Sequence, residues 1–116
     1  MITEKRNRSR RKFTYYMRVF DNSNSELIGY ITDISPRGFK IDSTKPHAVN
    51  KEYTLRLDLT SDVSDRSFII FVARLRWSQP DPTDPTSFME GFQVMNISPH
   101  DEEIFYRMFD KYSTAS

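Results

Sequence analysis

Two short stretches of this sequence combine residue types that can bind an anionic ligand. Residues 6–10 read Arg-Asn-Arg-Ser-Arg, and residues 33–38 read Asp-Ile-Ser-Pro-Arg-Gly. Guanidinium groups fork onto phosphate oxygens and stack on the faces of bases. Aspartate accepts hydrogen bonds, and serine both accepts and donates them. Arg10 and Asp33 are 23 residues apart, so the fold must bring the two stretches together if they act as one site.

The charge of this chain is distributed unevenly along its length. Residues 1–18 carry seven basic side chains and one acidic one, whereas the rest of the chain carries 10 basic and 15 acidic residues. Residues 1–12 also lack hydrophobic periodicity, so we predict that they form a flexible basic arm. The N-terminal end is therefore suited to an anionic partner, and the remainder of the chain is not.

Composition argues against several classes of protein. The chain has no cysteine, which excludes disulfides, thiolate zinc sites and cysteine nucleophiles. It lacks the run of about 20 apolar residues that a membrane helix needs. Its basic N-terminus lacks the apolar centre of a signal peptide. We therefore expect a cytoplasmic protein without a membrane partner.

The sequence offers no recognisable catalytic or metal-binding pattern. It has no glycine-rich phosphate loop, no nucleophile elbow and no set of histidine and carboxylate residues at a known spacing. His47 and His100 stand alone, and the acidic residues 101–103 are interpreted as complements to a helix dipole. We predict no enzyme activity, no cofactor and no metal site.

Hydrophobic periodicity predicts six short strands. The clearest covers residues 53–59, in which tyrosine and leucine alternate with polar residues, as in a strand with one buried face. The other strands are predicted at residues 13–20, 27–34, 39–41, 68–77 and 88–95. Pro80, Pro82 and Pro85 predict a loop. Gly38 permits a positive φ, and Gly91 indicates a bulge or the close approach of another backbone.

A helix is predicted after the last strand. Ser98 is a suitable N-cap and Pro99 a suitable first helical residue. The resulting fold class is mainly β, a six-stranded antiparallel β-barrel with a C-terminal α-helix. It forms a single domain over residues 13–112, after the flexible arm at residues 1–12. Trp77 is predicted to lie in its core.

These features together resemble the PilZ domain family. Its members combine an R-x-x-x-R stretch with [DN]-x-S-x-x-G some twenty residues later, as in residues 6–10 and 33–38. The resemblance extends from Arg6 to Phe109. It includes the stretches Arg74-Leu75-Arg76-Trp77, Gly91-Phe92-Gln93-Val94 and Ile97-Ser98-Pro99. It implies a PilZ-type barrel that binds the bacterial second messenger cyclic di-GMP and acts as a signalling receptor or adaptor for an unidentified protein effector.

The resemblance also implies roles for individual residues. Arg6 and Arg10 would grip phosphate and the guanine edge, Asp33 and Ser35 would read a guanine base, and Gly38 would shape the loop. Additional candidates for ligand binding are Arg8, Arg11 and Gly91.

The arginine stretch departs from the family pattern in one respect. The second arginine usually lies just before the first strand, but Arg11 and Lys12 intervene here. A register shifted by two residues would use Arg8 and Lys12, and lysine lacks the guanidinium fork. Which side chains fill the two arginine roles therefore stays open.

Two other functions are compatible with the sequence. One is a PilZ-like protein-interaction module that has lost its ligand. The other is a small barrel whose basic arm binds nucleic acid non-specifically. The second is disfavoured because the strands carry few basic residues with interleaved aromatics and the body is net acidic. We therefore expect no specific nucleic-acid partner.

Overall fold

The computed structural model describes the backbone of residues 11–61 and 63–112, and the side chains of residues 17–61 and 63–111. Six strands precede one helix. Their bounds are β1 (Arg11–Asp21), β2 (Glu26–Ser35), β3 (Gly38–Ser43), β4 (Glu52–Asp58), β5 (Phe68–Asp81), β6 (Asp84–Asn96) and α1 (Pro99–Tyr112). All paired strands are antiparallel, and they close into a barrel in the order β1-β2-β3-β6-β5-β4. The predicted fold class is confirmed.

One hydrophobic core fills the barrel and continues beneath the helix. In β4, Tyr53, Leu55 and Leu57 are buried, whereas the residues between them point outward. This alternation follows from the period of two in a strand and explains why one face reaches the core. Helix α1 contributes Phe105, whose ring lies 6.3 Å from that of Phe71 across the core.

The start of helix α1 agrees with the predicted cap. The hydroxyl oxygen of Ser98 accepts a hydrogen bond from the Asp101 N–H at 3.3 Å, and its carbonyl accepts one from the Glu102 N–H at 2.8 Å. Asp101 is also largely buried, and its Oδ1 lies 2.6 Å from Nη1 of Arg66. Asp101 therefore fixes the helix to the β4–β5 connection as well as complementing the helix dipole.

The prediction of a loop around the three prolines is wrong. Strands β5 and β6 continue past Pro80 and Pro85 as a hairpin in which Asp81 pairs with Asp84. The Asp81 carboxylate accepts hydrogen bonds from the N–H and the hydroxyl of Thr83, at 2.8 and 2.9 Å. This side-chain turn supports the hairpin, and the prolines lie at its exposed tip, where a missing N–H is tolerated.

The first strand begins earlier than predicted. Arg11 and Lys12 were assigned to the arm, but they belong to β1 and pair with Ile34 and Asp33 of β2. Strand pairing uses backbone groups, which every residue except proline supplies in full, so a charged pair can extend a strand. The flexible arm itself was predicted at residues 1–12, and its residues 1–10 lie outside the described residues. Within the described ranges, no helix is long and apolar enough to cross a membrane.

Candidate ligand-binding site

A pocket of about 430 Å³ opens beside the turn between β2 and β3. We call it the site pocket. Its walls come from the β2–β3 hairpin and from the facing part of the β5–β6 hairpin. The lining residues are Asp33, Ile34, Ser35, Arg37, Gly38, Phe39, Lys40, Arg76, Trp77, Gly91, Phe92 and Gln93. Its volume falls within the roughly 300–1,000 Å³ that is usual for small-molecule sites.

The second predicted motif forms one wall of this pocket. Asp33 and Ser35 both line it, and the Ser35 hydroxyl donates a hydrogen bond to the Gly38 carbonyl oxygen at 3.2 Å. That bond closes the tight turn at Pro36 and Arg37. The backbones of Ser35 and Gly38 also pair with each other. The carboxylate of Asp33 is 13% exposed, and its Oδ2 lies 3.5 Å from Nζ of Lys40. The turn thus holds Asp33 and Ser35 on one side of the chain.

Gly38 does not adopt the positive φ that the sequence suggested. No glycine of the described chain has a positive φ. The space around Gly38 is limiting instead, because a β-carbon there would overlap the backbone carbonyl of Phe92 on the neighbouring strand β6. Gly38 is therefore required for the close approach of β3 and β6.

The opposite wall of the site pocket is an aromatic face. Trp77 was predicted to be in the core, but it is 37% exposed and lines the pocket. Its indole lies over Gly91, its cross-strand partner, where a β-carbon would overlap the ring. The close approach predicted for Gly91 is thus present, although a side chain rather than a backbone makes it. The indole leaves the core because the pairing of β5 with β6 is irregular between Leu75 and Trp77.

Three basic residues in the described chain lie around this pocket, and sequence reasoning missed all of them. Arg37 and Arg76 are exposed and Lys40 is half-buried. Asp33 is the acidic residue in the pocket lining that offsets part of their charge. Nη1 of Arg76 donates to Oε1 of Gln93 at 3.1 Å, which holds the guanidinium beside β6. The pocket is therefore electropositive without any contribution from residues 1–10. Arg37 lies within the second motif and Lys40 two residues after it, and this position is the signal that could have revealed them.

The structure describes little of the arginine stretch and its neighbours. Arg6, Arg8 and Arg10 lie outside the described residues, and Arg11 is described by its backbone alone. The backbone of Arg11 pairs with Ile34, one residue before Ser35. Because β1 and β2 are antiparallel, the peptide bond from Arg10 enters β1 at the end of the barrel that carries the β2–β3 turn.

The buried carboxylate of Glu90 lies next to the strand pair formed by Trp77 and Gly91. Glu90 has no exposed surface, and its Oε2 accepts hydrogen bonds from the Ser78 hydroxyl and the His47 N–H, both at 2.8 Å. Nδ1 of His47 lies 2.7 Å from Oε1. His47 is thus not the isolated histidine that the sequence suggested. Glu90 precedes Gly91 and Ser78 follows Trp77, so this cluster fixes the two strands next to the pocket.

The described residues hold no group of three or more histidine, cysteine, aspartate or glutamate side chains arranged to bind a metal ion. The site pocket offers hydrogen-bond donors, carboxylate, hydroxyl and amide acceptors, and an aromatic side chain. These groups suit recognition of a base and a phosphate.

The fold and the pocket define a small β-barrel module whose pocket is lined by basic, polar and aromatic residues. Over residues 4–111 the sequence matches the PilZ domain family, and the chain belongs to that family. A search of curated protein sequences gives no match.

Solved structures share this fold at low sequence identity. The PilZ domain of YcgR from Escherichia coli, solved with c-di-GMP, is 15% identical with a TM-score of 0.65, and the match covers 89% of this chain and 87% of that one. MrkH of K. pneumonia in its apo state is 14% identical with a TM-score of 0.71, covering 89% and 49%. The inhibitor of motility MotI/DgrA of Bacillus subtilis is 15% identical with a TM-score of 0.63, covering 89% and 51%. This chain spans about half the length of the last two.

Proposed function

We propose that this protein is a receptor for cyclic di-GMP, which it binds in the site pocket without chemical change. The observation that carries the proposal is the position of Asp33 and Ser35 opposite the exposed indole of Trp77, across a pocket with three basic residues. YcgR of Escherichia coli has been solved with c-di-GMP, in its PilZ domain and in a longer chain. Family membership therefore agrees with the chemistry of the pocket.

Each group of the ligand has a counterpart in the protein. Cyclic di-GMP has two phosphates and two guanines. The Asp33 carboxylate accepts hydrogen bonds from guanine N–H groups, and Trp77 provides a flat face for the base. Arg6 and Arg10 supply guanidinium groups to the phosphates and the O6/N7 edge of guanine. Ser35, whose hydroxyl donates to Gly38, retains lone pairs that can accept from the ligand.

The signalling output is proposed to be a change in the surface near the pocket. Residues 1–10 join β1 beside the β2–β3 turn, so a ligand that pairs with their arginines fixes them against the barrel. A protein effector would then contact a different surface in the bound state. We propose no catalytic role and no specific nucleic-acid partner.

Titration calorimetry tests this function. The protein is titrated with cyclic di-GMP, cyclic di-AMP, GTP and single-stranded RNA. We expect cyclic di-GMP to bind most tightly, because a guanine presents N–H donors to Asp33 and an adenine presents an acceptor at the equivalent ring position. Absence of cyclic di-GMP binding favours the interaction module without ligand. Tight RNA binding that weakens steeply with salt favours the non-specific nucleic-acid barrel.

A further inference from the structure

Lys40 and Asp33 form an ion pair on the wall of the site pocket. Their side chains lie 3.5 Å apart from Nζ to Oδ2, and the two residues are cross-strand partners in β2 and β3. The side chains are 24% and 13% exposed. The backbone pairing therefore holds an ammonium group directly beside a carboxylate, with both facing the pocket.

The position of this ion pair suits a role in ligand binding better than a role in stabilising the fold. Taking two charges out of water costs free energy that their mutual attraction offsets only with good geometry. The 3.5 Å separation is longer than that of a strong charge-assisted hydrogen bond. Lys40 thus keeps donors that it can turn toward a ligand.

The two side chains together match the Watson–Crick edge of guanine. That edge presents an acceptor, O6, followed by two donors, the N1–H and the 2-amino group. Lys40 presents donors, and the carboxylate of Asp33 beside it accepts hydrogen bonds. Adenine has a donor in place of O6 and an acceptor in place of N1–H, so it would set donor against donor and acceptor against acceptor. Because O6 has two lone pairs, a lysine on the N1 side leaves the N7 side open to an arginine.

We propose that Lys40 is a specificity-determining residue that reads guanine O6 alongside Asp33. This inference rests on the proposed function, because it deepens the recognition of cyclic di-GMP. Lys40 lies two residues beyond Gly38, outside both sequence motifs. Its role is distinct from general attraction of phosphate, which any basic residue near the pocket provides.

The test compares ligand preference in the wild-type protein with that in Lys40→Met, which keeps the length of the side chain and removes the charge. Binding of cyclic di-GMP and cyclic di-AMP is measured by competition against a fluorescent cyclic di-GMP. We expect Lys40→Met to weaken cyclic di-GMP binding about tenfold, within the range for loss of a base contact, and to leave cyclic di-AMP binding unchanged or tighter. The ratio of the two affinities, which measures the preference for guanine, therefore falls about tenfold or more.

Two further variants separate reading of the base from other roles. Lys45→Met removes an ammonium that pairs with Glu26 at 3.3 Å, away from the pocket lining, and should leave both affinities unchanged. Lys40→Arg retains donors and should keep the preference for guanine. Equal weakening of both ligands by Lys40→Met, or an unchanged preference, would overturn the inference while the proposed function stands. A wild-type protein that binds no cyclic di-GMP refutes both.

Discussion

The indole of Trp77 lies so close to Gly91 that a β-carbon at position 91 would overlap the ring. The two residues face each other across β5 and β6, and the missing β-carbon of the glycine leaves room for the ring. Trp77 is also part of the lining of the site pocket. The pair therefore places an aromatic ring in the same pocket lining as Asp33 and Ser35.

Replacement of Trp77 by alanine should weaken cyclic di-GMP binding without unfolding the barrel. Stacking of a base on an aromatic side chain contributes about 1–3 kcal/mol, which corresponds to a loss of roughly fivefold to more than a hundredfold in affinity. The matched control is Phe68→Ala, which removes a similarly exposed aromatic ring nine residues earlier in the same strand (39% against 37% exposed). Calorimetry on the two variants should show a loss for Trp77→Ala alone. A comparable affinity in both would show that Trp77 is not a platform.

The register of the arginine stretch can be resolved by single substitutions. Arg6→Ala and Arg10→Ala should each cost about 1–3 kcal/mol of binding, the range for a bidentate contact of arginine with guanine. Lys5→Ala is the control, because it removes one positive charge from the same stretch outside both motif registers.

A different pattern of losses would contradict this assignment. If Arg8→Ala and Lys12→Ala weaken binding while Arg6→Ala does not, the register shifted by two residues is correct. The pairing of Lys12 with Asp33 makes that alternative specific, because it places the Lys12 backbone next to a residue of the second motif.

The strands were predictable where one face alternates between apolar and polar residues. In β4 the alternation of Tyr53, Leu55 and Leu57 with polar residues coincides with burial, because the pairing of β4 with β5 has no irregularity. The hairpin tip was not predictable in this way. Its prolines indicated a break, but the hydrogen bonds from Thr83 to Asp81 stabilise the turn locally and depend on geometry rather than on hydrophobic pattern.

The candidate site was predictable only as a motif. The spacing of Asp33, Ser35 and Gly38 located the turn, and the antiparallel pairing of β1 with β2 supplied its relation to the arginine stretch. Trp77 was misplaced because aromatic residues near the end of an apolar strand usually enter the core. Its exposure results from an irregular pairing that periodicity cannot reveal.

The buried carboxylate of Glu90 should be important for stability. Glu90→Gln removes the charge and replaces one acceptor oxygen with an amide donor, which at the Oε2 position sets donor against donor with the main-chain N–H of His47. Leaving such buried groups unsatisfied costs about 1–3 kcal/mol, which urea denaturation can measure. Glu52→Gln is the control, since its exposed ion pair with Arg74 at 3.2 Å should contribute no more than about 1 kcal/mol. Equal stability of the two variants would mean that the buried cluster does not fix the strands behind Trp77.

The stability of β3 should depend on pH through Asp42. Burial is the main cause that raises the pKa of Asp42 above its usual value of 3.8, the charge of Asp81 raises it further, and Lys40 opposes the shift. The folded state therefore binds this proton more tightly than the unfolded state, and the stabilisation is lost as the pH rises through the raised pKa. Asp42→Asn should increase the free energy of unfolding at neutral pH and have little effect below the usual pKa.

Asp84 provides a control of opposite sign. Hydrogen bonds from the hydroxyl and the N–H of Thr86 lower the pKa of Asp84, so its contribution is present above the usual pKa and is lost on acidification. Asp84→Asn should therefore decrease stability at neutral pH and not in acid. Urea midpoints of both variants at the two pH values check the signs. A pH-independent difference from the wild type in Asp42→Asn would contradict the account.

The location of the ligand is tested most directly by amide chemical-shift changes on addition of cyclic di-GMP to the isotopically labelled protein. We expect the largest changes in residues 33–40, at Trp77 and in residues 91–93, together with the arginine stretch at residues 6–10. Residues around Phe68, far along β5 from Trp77, should be unaffected. Large changes confined to another face of the barrel, or none at saturating ligand, would contradict the assignment of the site pocket as the binding site for cyclic di-GMP.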